Sequence, residues 1–446
     1  MRCQKSGING PKVNIISLGC SKNLVDSERL MKMLEDAGCR VEFESDRGAD
    51  IAVINTCGFI GDAKEESIDT IMQHVDAKSR GLIKKVYVMG CLSERYRDDL
   101  IAEIPEIDGF YGKFDWSGLV EEIASQHPQT RDDNVSFNTS MYGRKVTTGP
   151  SHAFVKIAEG CNRYCAFCAI PLITGRFKSR PIEEIEDEIK SLVASGYSEF
   201  NIIAQDLSSY GIDLYGELSL ASLIERLADI DGVHWLRLHY AYPAQFPYDV
   251  LDVMRRRPNV CAYLDIALQH ISDNVLDNMR RHINGLQTRE LLAEIRRRVP
   301  GIHLRTTLMV GFPGEGEKEF EELLDFVREQ RFERMGAFAY CEEEGTFGAK
   351  NFKDAIDDET KQRRLDKLMV LQEEISQEIQ QQKVGSNIEV VIDSEEEDYY
   401  VGRTQWDSPE VDPQVLIKKQ RTLIPGQYYM VKVTEALPFE LIAEPC

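Results

Sequence analysis

Between residues 12 and about 125 the chain repeats a short apolar run followed by a helical period. KVNIISLG leads to a helix from about Leu24, DIAVINTC to one from about Ala63, and KKVYVMGC to one from about Glu94. Strands buried on both faces of a parallel sheet read as continuous Val and Ile runs of this kind, so the order βαβα predicts a Rossmann-like or flavodoxin-like parallel sheet domain over 12–125. Residues 126–150, which hold QHPQTRDDN and TTGP, have weak periodicity and many turn formers and read as a linker.

From Ser151 the alternation resumes with six apolar strands: AFVKIAE, FNIIAQ, WLRLHY, YLDIAL, HLRTTLMVG and MGAFAY. Helical segments such as PIEEIEDEIKSLVASG and EKEFEELLDFVREQ separate them. Six units fall short of the eight that close a (β/α)8 barrel, so the α/β pattern predicts an incomplete (β/α)6 barrel. TKQRRLDKLMVLQEEISQEIQQQ, between Asp357 and Lys383, reads as one long amphipathic helix, and the core with this helix runs over 151–383. Beyond it IEVVID, YYVGRT, QVLIKK and YYMVKVTEA are short strands broken by DSP and PG turns, which predicts a small antiparallel β-barrel over 384–446.

A length of 446 residues suits about three domains with their own cores. The formal charge is −22, from 53 Lys and Arg against 75 Asp and Glu, which argues against a general nucleic-acid binder and suits a basic partner. No run of 18 apolar residues suggests a membrane span, and MRCQKSGING lacks the apolar core of a signal peptide, so the cytoplasm is the expected compartment. The basic runs Arg255–Arg257 and Arg296–Arg298 read as solvated helix faces.

Eleven cysteines in a large chain argue against a disulfide framework and for metal or catalytic thiols. In EGCNRYCAFC, Cys161, Cys165 and Cys168 stand as C-x3-C-x2-C just after the first strand of the second domain, where barrel-type folds place their chemistry. Three thiolates on one loop can hold three irons of a cubane and leave the fourth iron open. A structural zinc would need a fourth ligand, for which only His152 is near. Cys20, Cys57 and Cys91 lie far apart in sequence, but each ends a predicted strand, in IISLGC, AVINTC and VYVMGC. In a parallel sheet those ends share the ligand-binding edge, so the three thiols converge and imply a second cluster with an open iron. Any one of them alone would read as a small buried hydrophobe. Cys3, Cys39, Cys261, Cys341 and Cys446 are not expected to be ligands.

C-x3-C-x2-C with Phe167 before the last cysteine resembles the radical S-adenosylmethionine (SAM) superfamily. With the second triad and the terminal barrel, residues 12–443 resemble the methylthiotransferases. SLGCSKNLVDSE, NTCGFIGDAKEESID and QDLSSYGID resemble the ribosomal-protein branch of that family, whereas the transfer-RNA branch would read closer to GCQMN and NTCSVR. EGCNRYCAFCAIP, LQHISDNVL, GFPGE and EEEGT are common to both branches. Ala267 stands where the family commonly has Pro, and Cys341 where Ser is usual.

The resemblance implies two [4Fe-4S] clusters, on Cys20, Cys57 and Cys91 and on Cys161, Cys165 and Cys168, with SAM as methyl donor and as radical source. The reaction it implies puts a methylthio group on the β-carbon of an aspartate in small-subunit ribosomal protein twelve. It also implies an electron donor such as flavodoxin or ferredoxin, and Phe167 as the adenine neighbour. Gly311, opening GFPGE, would approach SAM by bare backbone, although a strand-to-helix turn accounts for the glycines equally. The family's terminal barrel is the TRAM type usually tied to RNA. Here residues 377–446 carry six Lys and Arg against thirteen Asp and Glu, a net −7, so RNA binding is not expected to dominate. The alternatives are a transfer-RNA adenosine methylthiotransferase and, more remotely, a non-enzymatic iron–sulfur carrier, which would normally close its cluster with four ligands.

Overall fold

The structure, a computed structural model, describes residues 10–125 and 143–446. Of the expected linker, 126–142 lies outside the described residues, as does Cys3, while 143–150 forms neither helix nor strand. The chain divides into two compact units, one up to Thr147 together with Ala169–Gly175, the other Thr148–Cys168 with Arg176–Cys446.

The first unit runs β1 (Lys12–Ser17), α1 (Ser21–Asp36), β2 (Arg40–Phe43), β3 (Ile51–Thr56), α2 (Gly61–Ser79), β4 (Lys85–Gly90), α3 (Cys91–Glu103), β5 (Gly109–Phe110) and α4 (Trp116–Ser125). Every strand pair is parallel and the order is β2-β1-β3-β4-β5, the flavodoxin-like arrangement. All six residues of β3 are buried because the sheet is covered on both sides. Val13, Ile15 and Val53 pack with Leu30 and Leu34 of α1 on one face, and Ile54, Val86 and Val88 pack with Ile71 of α2 on the other.

The second unit begins with β6 (His152–Lys156) and β7 (Ala158–Glu159). α5 (Ile170–Thr174), which groups with the first unit, precedes β8 (Lys178–Ser179). Then follow α6 (Ile182–Ala194), β9 (Glu199–Ile203), α7 (Leu220–Ala228), β10 (Trp235–Ala241), α8 (Asp249–Arg256), β11 (Val260–Ile266), α9 (Asp273–Asn278), α10 (Gly285–Arg298), β12 (His303–Val310), α11 (Glu317–Gln330) and β13 (Arg334–Ala339). The strands β6, β9, β10, β11, β12 and β13 form one open parallel sheet in chain order, the incomplete six-unit barrel. The two basic runs are taken up by acids: Arg256 and Arg257 by Glu225, Arg296 by Glu333, Arg297 and Arg298 by Glu294.

After α12 (Phe347–Asn351) comes α13 (Asp358–Gln381), started by Asp357, whose carboxylate accepts from the Thr360 amide at 2.8 Å. β14 (Asn387–Glu395), β15 (Tyr399–Arg403), β16 (Gln414–Lys418), β17 (Tyr428–Ala436) and β18 (Glu440–Pro445) close into a barrel in the order β14-β15-β16-β18-β17. One pair, β16 with β18, is parallel. Around a closed ring of five strands the directions cannot alternate throughout, so one parallel pair is required.

A buried ion network joins this barrel to the six-stranded sheet. Arg403 of β15 grips Glu199 of β9 with two bonds of 2.9 and 3.0 Å, and Arg237 of β10 pairs with the same carboxylate. Burial opposes ionisation of Glu199, but Arg403 and Arg237 outweigh it and hold the carboxyl well below its usual range. Glu199→Gln leaves two guanidiniums without their shared anion, so the expected loss in stability is about 3–5 kcal/mol. Urea unfolding at neutral pH measures it, and a loss below ~1 kcal/mol would contradict the assignment.

Candidate functional site

The ends of β1, β3 and β4 lie side by side on the carboxyl edge of the first sheet, and each delivers one cysteine. Cys20 precedes α1, Cys57 follows Thr56, and Cys91 is the first residue of α3. Gly19, at φ +91°, passes so close to Cys57 that a Cβ there would sit 2.9 Å from its Sγ. Only glycine satisfies both the left-handed backbone and that approach. Cys20 is exposed, Cys91 half-buried and Cys57 buried. Burial pushes the Cys91 thiol up to about 12; Lys113 opposes this, and Cys20 and Cys57 add to it. Cys20 and Cys57 thus lie near enough to Cys91 to act on its thiol.

Asn23, two residues into α1, ties these ends together. Its Nδ2 donates to the carbonyls of Leu18 and Thr56, both at 2.9 Å, while its Oδ1 lies 3.6 Å from Cys91 Sγ and accepts from Lys113 Nζ at 3.3 Å. Lys113 is buried and paired with Asp26 at 2.8 Å. Asn55 Nδ2 donates to the Asn23 carbonyl and to Ser27 Oγ, and the Cys57 amide donates to Ser67 Oγ at 3.1 Å.

The second triad lies on the loop after β7. Cys161 and Cys165 are buried and Cys168 is half-buried. Burial pushes the Cys161 thiol up to about 12. The loop is pinned from two directions: the Ala166 amide donates to the Met279 carbonyl at 2.9 Å, and the Gly348 amide donates to the Ala166 carbonyl at 2.6 Å. Arg163 Nε bonds Asp206 at 2.6 Å, and its guanidinium lies 4.3 Å from the Tyr242 ring. Arg281 Nη1 donates to Cys165 Sγ at 3.1 Å.

Phe167 packs with Cys165, Cys168 and Tyr242, and its ring meets Phe312 edge-on at 6.3 Å. Phe312 follows Gly311, so of the two positions expected beside SAM, Phe167 and the residue next to Gly311 share one apolar cluster with Tyr340. Gly311 has φ +78°, and a Cβ there would collide with Lys361. The turn needs glycine for internal packing, and the loop GFPGE is closed by its own acid. Glu315 accepts from the Gly311 amide at 3.0 Å and from Arg364 at 2.8 Å, and meets His270 Nε2 at 3.1 Å. The Ser272 amide donates to His270 Nδ1, which leaves the proton on Nε2 for Glu315.

His152 stands at the opposite end of β6 from the cysteine loop, bonded to Ser151 at 3.0 Å, and burial drives its pKa down to about 4. It does not join the triad, so His152 is not the fourth ligand that a structural zinc would need. Among the described residues no three His, Cys, Asp or Glu side chains are gathered to hold a single ion. A cubane places its thiolates on different irons, farther apart than ligands of one ion. The donor sets fit such a group: burial disfavours bare thiolates, the second triad has the Arg281 guanidinium against the Cys165 sulfur, and in the first a buried Lys113 is linked through Asn23 Oδ1 to Cys91 Sγ. Asn23, Lys113, Arg281 and Tyr242 are site residues that sequence reasoning did not find. Only Asn23 carried a sequence cue, by lying inside SLGCSKNLVDSE.

Residues 12–112 match the family model described as Uncharacterized protein family UPF0004, 155–327 that of the Radical SAM superfamily, and 384–446 that of the TRAM domain. The chain is 57% identical over 433 residues to the ribosomal protein uS12 methylthiotransferase RimO of Phocaeicola vulgatus, covering 97% of this chain and 98% of the relative. To the protein of the same description from Parabacteroides distasonis it is 56% identical over 432 residues, covering 96% and 98%. Among solved structures it resembles the radical S-adenosylmethionine methyltransferase TsrM of Kitasatospora setae, determined with cobalamin and a [4Fe-4S] cluster. That likeness has a TM-score of 0.53 at 17% identity, over 74% of this chain and 75% of the other, and bears on fold alone.

Proposed function

The chain belongs to the family of ribosomal protein uS12 methylthiotransferases, and from that membership we propose that it replaces a β-carbon hydrogen on one aspartate of uS12 with a methylthio group. SAM serves as methyl donor and as radical source. Residues 12–125 carry the sulfur end, with Cys20, Cys57 and Cys91 as ligands of one [4Fe-4S] cluster. Residues 151–383 carry the radical end, with Cys161, Cys165 and Cys168 as ligands of the other, and 384–446 form the terminal barrel. The observation that carries this reading is the presence of two three-cysteine sets, one spread over the carboxyl ends of three neighbouring parallel strands and the other on the single loop that follows β6 and β7. When bound, the clusters supply electrons for reductive SAM cleavage and an iron site for the sulfur that is transferred.

The chain's own residues position and seclude. Asn23 fixes the ends of β1 and β3, and with them the directions of Cys20 and Cys57. Phe167, Phe312 and Tyr340 give the radical end an apolar wall that keeps water from the reacting carbon. Phe167 is the adenine neighbour, and Gly311 supplies the turn that presents Phe312 beside it. Electrons come from a donor such as flavodoxin or ferredoxin, and a ribosomal-protein substrate makes the cytoplasm the expected compartment. No helix among the described residues is long and apolar enough to cross a membrane.

Reduced, reconstituted protein incubated with SAM and a peptide of the uS12 target loop is expected to add the mass of one methylthio group to the peptide. Modification of transfer RNA instead would overturn the substrate. The barrel's charge favours the protein substrate. Glu396, Glu397 and Asp398 are exposed at the β14–β15 turn, beside Glu395, which reaches Lys419 at 2.9 Å. Replacing Glu395, Glu396 and Glu397 by Lys is expected to weaken uS12 binding several-fold at low salt, with a smaller effect as attraction is screened over about 8 Å at physiological salt. Binding at two salt concentrations decides this, and an unchanged affinity and salt slope would remove the barrel's acids from recognition.

A further inference from the structure

Arg281 lies in the turn after α9, between Arg280 and His282, whose φ angles of 57° and 56° are both left-handed. Such backbone is unfavourable for residues with a Cβ, and here it turns the intervening side chain inward. The guanidinium is buried, and no carboxylate among the described residues pairs with it. Nη1 donates to Cys165 Sγ at 3.1 Å, Nη2 donates to the Ala267 carbonyl, and Nε has no partner. The Tyr242 ring lies 4.2 Å away, and its hydroxyl donates to the Arg281 carbonyl at 2.8 Å, fixing the turn from below.

A guanidinium buried in this way stays charged and needs a negative neighbour. The atom placed to provide one is the sulfur of Cys165, at hydrogen-bond distance from Nη1. The other triad is arranged differently, because its cation Lys113 is neutralised by Asp26. The positive charge beside Cys165 is therefore left for the group the cysteine carries.

We propose that Arg281 is a positioning residue for electron delivery, stabilising the extra electron of the cluster bound by Cys165 through its fixed charge and its N–H contact to the sulfur. The proposal rests on the reading of Cys161, Cys165 and Cys168 as cluster ligands. One added electron makes the site one charge more negative, and a cation at hydrogen-bond distance in a dry interior favours that state. Cluster potentials respond to net charge and to hydrogen bonds on sulfur, so Arg281 raises the midpoint potential above the value a neutral side chain would give.

The test uses the full-length chain with Cys20, Cys57 and Cys91 changed to Ala, reconstituted without oxygen so that one cluster titrates. Midpoint potentials are read from the electron paramagnetic resonance signal of the parent, Arg281→Met, Arg281→Gln and Arg281→Lys. The two neutral variants are expected to titrate at more negative potential, and Arg281→Lys, which keeps the charge, closer to the parent than either. A neutral variant that holds its iron and titrates with the parent overturns the proposal, as does a shift in Arg281→Lys as large as in Arg281→Gln. If neither neutral variant holds a cluster, Arg281→Lys decides alone: a midpoint near the parent's supports the charge and a strongly negative one overturns it. Iron content separates this from failure of the ligand reading, in which the parent itself would hold no cluster on Cys161, Cys165 and Cys168.

Discussion

Changing Cys161, Cys165 and Cys168 together to Ala is expected to reduce iron from about eight to about four per chain after reconstitution. It should also take formation of 5′-deoxyadenosine and methylthio transfer below detection. The variant should remain folded, because the loop is held by backbone bonds that do not involve sulfur, from Ala166 to Met279 and from Gly348 to Ala166. Losing the thiol of Cys165 leaves Arg281 buried without its sulfur partner, so some loss of stability accompanies the loss of iron. Iron analysis, product chromatography and a melting curve on one preparation separate these effects. Loss of all iron from the folded variant would show that the first unit does not hold a cluster independently.

The parts of this molecule that were legible in the sequence are those fixed by burial along one strand. DIAVINTC reads as a doubly covered strand because all six residues of β3 are buried, and the same runs mark where β1 and β4 end. Knowing those ends was enough to bring Cys20, Cys57 and Cys91 together, since parallel strands share a carboxyl edge. β2 and β5 escaped because a four-residue edge strand and a two-residue strand carry too little pattern. β18 escaped because ELIAEP alternates over only a few positions before a proline.

What decides the chemistry around the thiols is tertiary and leaves no local trace. Arg281 meets Cys165 across 116 residues and Lys113 meets Asp26 across 87, and in sequence both are ordinary basic residues. His152 misleads in the opposite way: it is nine residues from Cys161, but a strand carries its two ends in opposite directions, roughly 3.3 Å per residue. Composition marked the terminal barrel as acidic, but the wedge of Arg403 and Asp407 into the core is seen only once Glu199 and Arg334 face them.

Changing Cys20, Cys57 and Cys91 together to Ala is expected to abolish methylthio transfer while 5′-deoxyadenosine still forms at a rate within about twofold of the parent. The division follows from where the residues sit. The three sulfurs end strands of the first sheet, whereas Cys161, Cys165, Cys168, Phe167 and Arg281 all belong to the second unit. The first sheet should survive the change, because Asn23 holds Leu18 and Thr56 through its amide, and Asn55 and Ser67 bind backbone and hydroxyl groups and no sulfur. The buried Cys57 loses only a small side chain, a cost on the order of 1 kcal/mol. Iron should again fall to about four, now on the radical end alone. The informative measurement is the ratio of 5′-deoxyadenosine to methylthiolated peptide, since a general loss of folding lowers both, whereas loss of the sulfur end removes only the second. A folded variant that keeps four irons and cannot cleave SAM would refute the assignment of Cys20, Cys57 and Cys91 to sulfur delivery and make them part of the radical step.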